Sequence, residues 1–159
     1  MQNYHATFAL PHATLGVRTE NDSVIGIEFL PHSSHVAKPQ NSLAAQVVEQ
    51  LACYFRDPNF IFDLPLQPKG TPHQAKVWRA MLAIPVGSVR TYGAVAREIG
   101  SSPRAVGQAC GANPIPVIIP CHRIVGQAGL GGFMHSRASA ELNIKAWLLA
   151  HEQSQAHAA

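Results

Sequence analysis

The sequence predicts an α+β fold, in which a small amino-terminal antiparallel sheet with one helix precedes a mostly helical carboxy-terminal part containing a helix-turn-helix. Three observations carry this. Short apolar segments separated by turn residues crowd toward the amino terminus; apolar residues recur at helical spacing after Asn41; and capping and stop signals punctuate the chain from Thr71 to Gly111.

Taken in order, Tyr4 to Leu10, Thr14 to Thr19 and Val24 to Leu30 read as strands, the last two joined by the turn-forming Asn21-Asp22-Ser23. From Asn41 to Arg56 the residues Leu43, Ala44, Val47, Val48, Leu51, Tyr54 and Phe55 lie on one helical face, with Asp57-Pro58 as a stop and Cys53 as a structural member. Phe60 to Pro68 is broken by proline. Thr71, Pro72 and Gln74 then supply an N-cap, a first-turn proline and a capping-box partner for a helix from Pro72 to about Ala83. Thr91 caps a helix over Tyr92 to Ile99, Gly100 turns the chain, and Ser102-Pro103 begins another that ends at Gly111. Beyond Asn113-Pro114, the three prolines of Pro114 to Pro120 forbid a regular helix while Ile115, Val117, Ile118 and Ile119 demand burial, which makes a rigid buried strap. Gly129, Gly131 and Gly132 form a flexible loop before a final helix from about Ala140 to Glu152.

With 159 residues and 47% hydrophobic content, the chain fits one compact domain or two small ones. No segment approaches a membrane span and the first residues lack the pattern of a signal peptide, so a cytoplasmic location is expected. Cys53, Cys110 and Cys121 are odd in number and lack metal-site spacing, which argues against a disulfide framework and leaves at least one thiol free to react. The nine histidines are scattered, and no metal or other cofactor is expected. The net charge of +3 is unevenly placed: residues 70 to 159 carry eight basic and three acidic side chains, which makes that half the polyanion-binding candidate.

Immediately after the strap stands Cys121-His122-Arg123, a thiol beside an imidazole and a guanidinium, surroundings expected to stabilise thiolate and so to mark a nucleophile. Three residues do not establish this by themselves, because cysteine is often buried and such neighbours arise by chance. The wider context is more specific. Pro120-Cys121-His122-Arg123 closely resembles the signature of the O6-alkylguanine-DNA alkyltransferases, also called methylated-DNA–protein-cysteine methyltransferases. Gly70 to Gln74, Val77-Trp78, Ile84 to Gly87, Thr91 to Gly93 and Arg104 to Gly107 resemble the family's blocks in order, as do Lys145 and Trp147 to Glu152 downstream.

The resemblance implies a ribonuclease-H-like α/β domain over residues 1–69 and a helical DNA-binding and alkyl-acceptor domain over 70–159. It implies DNA repair by irreversible, single-turnover transfer of an alkyl group from O6-alkylguanine, and O4-methylthymine, to Cys121. His122 would be linked through water to Cys121 and held by Glu152, a relay consistent with thiolate being the nucleophile. Tyr92 would donate a proton or hydrogen bond to the departing guanine, and Asn113 would hold the backbone near Cys121. The partner implied is double-stranded DNA, met in the minor groove by a monomer, with the damaged nucleotide flipped out. Arg104 matches the intercalating arginine; Ser102, Ala105, Gly107, Arg123 and Tyr92 complete the DNA-binding set, the small residues allowing close backbone approach. Lys76, Arg79, Arg90, Arg97 and Arg137 are further phosphate-contact candidates.

Two features depart from the family pattern. The segment Gly132 to Ser139, expected to form one wall of the base pocket, is longer than usual and has Phe133 for tyrosine; His73 replaces an aromatic residue, with a local packing change expected. Three other functions compete: an alkyltransferase-like protein that recognises the lesion without chemistry, against which the intact Cys121 stands; a helix-turn-helix regulator, which leaves Pro120 to Arg123 unexplained; and a cysteine hydrolase, which would show repeated turnover.

Overall fold

The computed structural model describes residues 4–31, 36–134 and 139–156, with the side chains of 139–142 and 154–156 outside the description. The chain divides into two compact units, Met1–Lys69 and Gly70–Ala159.

In the first unit, β1 (Ala6–Ala9), β2 (Thr14–Glu20) and β3 (Ser23–Leu30) form the expected antiparallel sheet in the order β1-β2-β3. Asn21 and Asp22 connect β2 to β3 with both φ angles positive, +50° and +62°, the conformation of a two-residue hairpin turn and one that these residue types tolerate. Helix α1 (Ser42–Arg56) starts where Asn41 accepts the Ala44 amide at 2.8 Å, and Asn41 also donates to Thr19 Oγ1 at 3.1 Å, tying the helix start to β2. Its buried Ala44, Val47, Leu51 and Tyr54 pack on the sheet, whose buried face includes Ala6, Leu15, Val17 and Ile27. The proline-broken stretch after α1 runs back beside β3, bridging Val24 and Leu66.

The second unit is built on α2 (Pro72–Leu82), α3 (Tyr92–Ile99), α4 (Pro103–Gly111) and α5 (Ser139–Ala156). The capping box of α2 forms as the sequence predicts: Thr71 Oγ1 accepts the Gln74 amide, and Gln74 Oε1 accepts the Thr71 amide. Gly70 is required for a close approach, since a Cβ there would fall 2.4 Å from the Trp78 ring. Trp78 is buried and donates from Nε1 to Ala109 O at 2.9 Å, locking α2 onto α4. Gly100, at φ +70°, reverses the chain between α3 and α4. His73 Nε2 meets Ser101 Oγ at 2.7 Å in that turn, so the residue replacing an aromatic makes a polar tie. Two features went unread in the sequence. Residues Arg90–Thr91 (β4) and Ile124–Val125 (β5) pair in parallel, and α5 extends to Ala156 because Gln153 to Ala156 contains no helix breaker.

Candidate functional site

The strap delivers Cys121 and His122, and α5, which packs on the turn they form, delivers Glu152. The strap residues Ile115 to Pro120 are all buried, and Asn113 fastens both ends: its Oδ1 accepts the Ile115 amide at 3.0 Å and its Nδ2 donates to Ile119 O at 2.8 Å. Between these anchors Val117 adopts φ +74°, a strained conformation for a β-branched residue. The strap ends in a single 3₁₀ turn, Cys121–Arg123, which places Cys121 and His122 in the interior.

Burial reverses one expectation. The Cys121 thiol does not sit in surroundings that ionise it. Burial pushes it up to about 11, against a hydrogen bond from Asn113, the charge of Lys145 and a backbone hydrogen bond at Cys121 itself. Nor does the neighbouring guanidinium serve it. Arg123 turns to Glu152, donating from Nε at 2.9 Å and Nη2 at 2.8 Å, and from Nη1 to Ile84 O at 2.7 Å. Those three bonds direct Arg123, expected among the DNA contacts, into the fold.

Glu152, 1% exposed on α5, also meets His122 Nε2 at 2.8 Å. A carboxylate held by Arg123 only accepts, so Nε2 carries the hydrogen and Nδ1 is the basic nitrogen. Among the described residues, nothing hydrogen-bonds that buried Nδ1. Burial lowers the His122 pKa, with Arg123 and Lys145 adding to the effect and Glu152 opposing it, which keeps the imidazole neutral near pH 7.

Lys145 appeared in the sequence only as part of a matching block. It is fully buried and donates to Ile124 O, Leu130 O and Gly132 O at 2.8, 2.6 and 2.9 Å. One ammonium thus clamps the loop between β5 and Phe133 while its charge lies near Cys121. The signal available in the sequence was a lysine amid the apolar positions of α5.

A pocket of about 460 Å³ opens onto Cys121. Arg104, Gly107 and Cys110 of α4 line one side, Gly132, Phe133 and Met134 another, and Tyr92 is part of the lining. The Tyr92 ring lies against Gly131: a Cβ there would stand 2.7 Å from the phenol oxygen. Residues 135–138 of the long loop, Arg137 included, lie outside the described residues. Ser102 caps α4 by accepting the Ala105 amide at 3.1 Å, and Ala105 and Gly107 are half-buried on that helix. Arg104 is exposed in the first turn, as Lys76, Arg79 and Arg97 are on α2 and α3, whereas Arg90 pairs with Glu98 at 2.6 Å. Among the described residues, no group of three or more His, Cys, Asp and Glu side chains is placed to hold a metal ion, and no helix is long and apolar enough to cross a membrane.

A family described as 6-O-methylguanine DNA methyltransferase, DNA binding domain, matches residues 72–154. A probable methylated-DNA–protein-cysteine methyltransferase of Acanthamoeba polyphaga mimivirus is 43% identical over 133 residues, 82% of each chain. The constitutive methylated-DNA–protein-cysteine methyltransferase of Bacillus subtilis is 35% identical over 92% of this chain and 93% of its own. Among solved structures, the O6-methylguanine methyltransferase of Mycobacterium tuberculosis superposes with a TM-score of 0.80 at 32% identity, over 95% of this chain and 93% of that one. The same bacterium's protein in complex with DNA gives 0.78 at 34% identity, over 94% and 92%.

Proposed function

Because the chain belongs to the methylated-DNA–protein-cysteine methyltransferase family, a family of DNA-binding repair proteins that transfer alkyl groups, we propose that Cys121 is the acceptor and takes the alkyl group from O6 of guanine in a single, irreversible turnover. The observation that carries this reading is the His122 ring, held at Nε2 by Glu152, with its basic Nδ1 buried and without a hydrogen-bond partner among the described residues.

In this mechanism the Cys121 proton passes through a bridging water to His122 Nδ1 as Sγ attacks the sp³ carbon. The S–C bond forms, the C–O bond breaks, and the electron pair leaves on guanine O6. Tyr92, whose ring lines the same pocket, donates a proton or hydrogen bond to the departing base. The product is a thioether that neighbouring water does not hydrolyse, so one protein molecule serves one lesion. Asn113 contributes by fixing the strap, and by its hydrogen bond to Cys121, which favours the thiolate.

A base within a duplex cannot reach a buried thiol, so the nucleotide is flipped into the pocket. Arg104, exposed at the pocket's edge in the first turn of α4, fills the gap left in the stack. The α3–α4 pair acts as the helix-turn-helix, with Ser102, Ala105 and Gly107 allowing close approach in the minor groove, and residues 70–159 form the DNA-binding and acceptor domain. O4-methylthymine fits the same scheme.

The deciding experiment mixes the protein with duplex DNA containing O6-methylguanine and follows intact and peptide mass for wild type and Cys121→Ala. One methyl group on Cys121, saturating at one equivalent and absent from the variant, is the expected result. Tight lesion binding with no mass gain would instead assign a recognition role without chemistry.

A further inference from the structure

Helix α4 keeps Val106 and Ala109 in the core and turns another stripe toward the pocket. Arg104, Gly107, Gln108 and Gly111, at the i, i+3, i+4, i+7 spacing of one helical face, all line it. The two glycines offer no side chain, and Arg104 is assigned to the gap in the base stack. Gln108 is left without a role. It is exposed in the middle of the helix. Its main-chain carbonyl accepts the Ala112 amide at 3.1 Å, while its carboxamide has no hydrogen-bond partner among the described residues.

Cys121 and Phe133 are buried at the inner side of the pocket, whereas Gln108 is exposed, so it stands at the mouth, where the duplex lies. Four residues of helix rise about 6 Å, and helical side chains lean toward the amino-terminal end, here back toward Arg104. Base pairs stack about 3.4 Å apart. With Arg104 filling the gap of the flipped nucleotide, Gln108 therefore reaches the base pair beside that gap. In the minor groove an A·T pair offers acceptors alone, and a G·C pair adds the guanine N2 amine as a donor. A carboxamide has both an acceptor oxygen and a donor nitrogen. It makes one bond to adenine and two to guanine, Oε1 accepting from N2 and Nε2 donating to N3.

We propose that Gln108 is a specificity-determining residue that reads the base pair flanking the damaged nucleotide, so that transfer is favoured where that pair presents an N2 amine in the minor groove. This rests on the reading of Cys121 as alkyl acceptor and of α4 as the element in the minor groove.

The test measures single-turnover methyl transfer, at DNA concentrations below saturation, from O6-methylguanine duplexes whose flanking pair, on each side in turn, is guanine·cytosine, hypoxanthine·cytosine, adenine·thymine or 2,6-diaminopurine·thymine. Hypoxanthine removes the N2 amine from guanine and diaminopurine adds it to adenine, each without altering which base it pairs with. Wild type is compared with Gln108→Ala and with Gln108→Leu, which keeps the bulk and loses the hydrogen bonds; both are strong helix formers at an exposed position. The wild-type-to-variant rate ratio on each duplex cancels differences in duplex stability. On one flank that ratio is expected to be roughly threefold to tenfold higher for the two pairs carrying the amine than for the two lacking it, the worth of one additional hydrogen bond. Equal ratios for all four pairs on both flanks, with wild type still methylated at Cys121, overturn the proposal. Ratios that separate the two cytosine pairs from the two thymine pairs overturn the placing of α4 in the minor groove. A wild type that takes up no methyl group overturns the reading of Cys121 itself.

Discussion

Replacing Glu152 by glutamine separates chemistry from scaffolding at this site. The carboxylate is 1% exposed and takes three bonds at 2.8–2.9 Å, one from His122 and two from Arg123. Glutamine keeps one acceptor oxygen, and its amide NH₂ must face a donor, either His122 Nε2–H or the guanidinium. Breaking a buried pair costs roughly 3–5 kcal/mol, and because the Arg123 side chain keeps 13% exposure, water recovers part of that; a loss of about 2–4 kcal/mol is expected. For a chain of this size that lowers Tm by roughly 5–15 °C. The transfer rate should fall by about 10²–10⁴, because the imidazole loses the partner that fixes its tautomer. Arg123→Gln is the control: it removes the same ion pair and leaves His122 on Glu152, so it loses comparable stability but much less rate. Both are read by thermal unfolding in circular dichroism and by single-turnover methyl transfer well below either Tm. If the two variants slow the reaction equally, or Glu152→Gln stays within about threefold of wild type, His122 and Glu152 do not act as a relay.

Gly131→Ala forces a Cβ to 2.7 Å from the Tyr92 oxygen at φ +75°, so it should cost about 1–3 kcal/mol and slow transfer by moving Tyr92. Gly107→Ala places its Cβ at an ordinary 3.9 Å from the same ring, so it should stabilise the fold by about 0.5–1 kcal/mol while weakening DNA binding; an unchanged DNA affinity would remove Gly107 from the interface. Arg104→Ala, at an exposed position, should leave Tm unchanged and slow transfer from duplex DNA more than from the free alkylated base. Stability should fall at both ends of a pH titration. Burial depresses the His122 pKa, so below the ordinary value of 6.5 the unfolded chain binds the extra proton and stability drops as acid is added. Burial raises Cys121 to about 11, so the contribution is complete below the ordinary 9.0 and is lost as pH rises toward 11. Cys121→Ala should remove only part of the alkaline limb, because Cys110 shifts the same way.

What could be read in the sequence is what local chemistry decides. Asn21-Asp22 specifies its hairpin turn, Thr71 and Gln74 their capping box, Thr91 and Ser102 their caps, and Gly100 its left-handed turn, because each depends on atoms within a few residues. The β4–β5 ladder was unreadable because two residues carry no periodicity and their partners lie over 30 positions away. Lys145 and Cys110 were missed as site residues for the same kind of reason. A lysine on a helix is ordinarily solvated, and only the three carbonyls of a distant loop make this one a buried clamp.

The reversal at Cys121 has a chemical consequence that adjacency in sequence could not supply. A thiol followed by a histidine and an arginine looks pre-ionised only if those cations face it, and here the guanidinium is committed to Glu152 while burial keeps the imidazole neutral. Burial pushes the Cys121 thiol up to about 11, so the resting thiol is protonated at pH 7. A permanently ionised thiol would be open to oxidation and adventitious alkylation, whereas this one is guarded by its own protonation. Under the proposed mechanism deprotonation belongs to the reaction step, where the neutral His122, its buried Nδ1 without a hydrogen-bond partner among the described residues, takes the proton. The same burial that makes Cys121 a poor acid in the resting protein holds His122 in its neutral form.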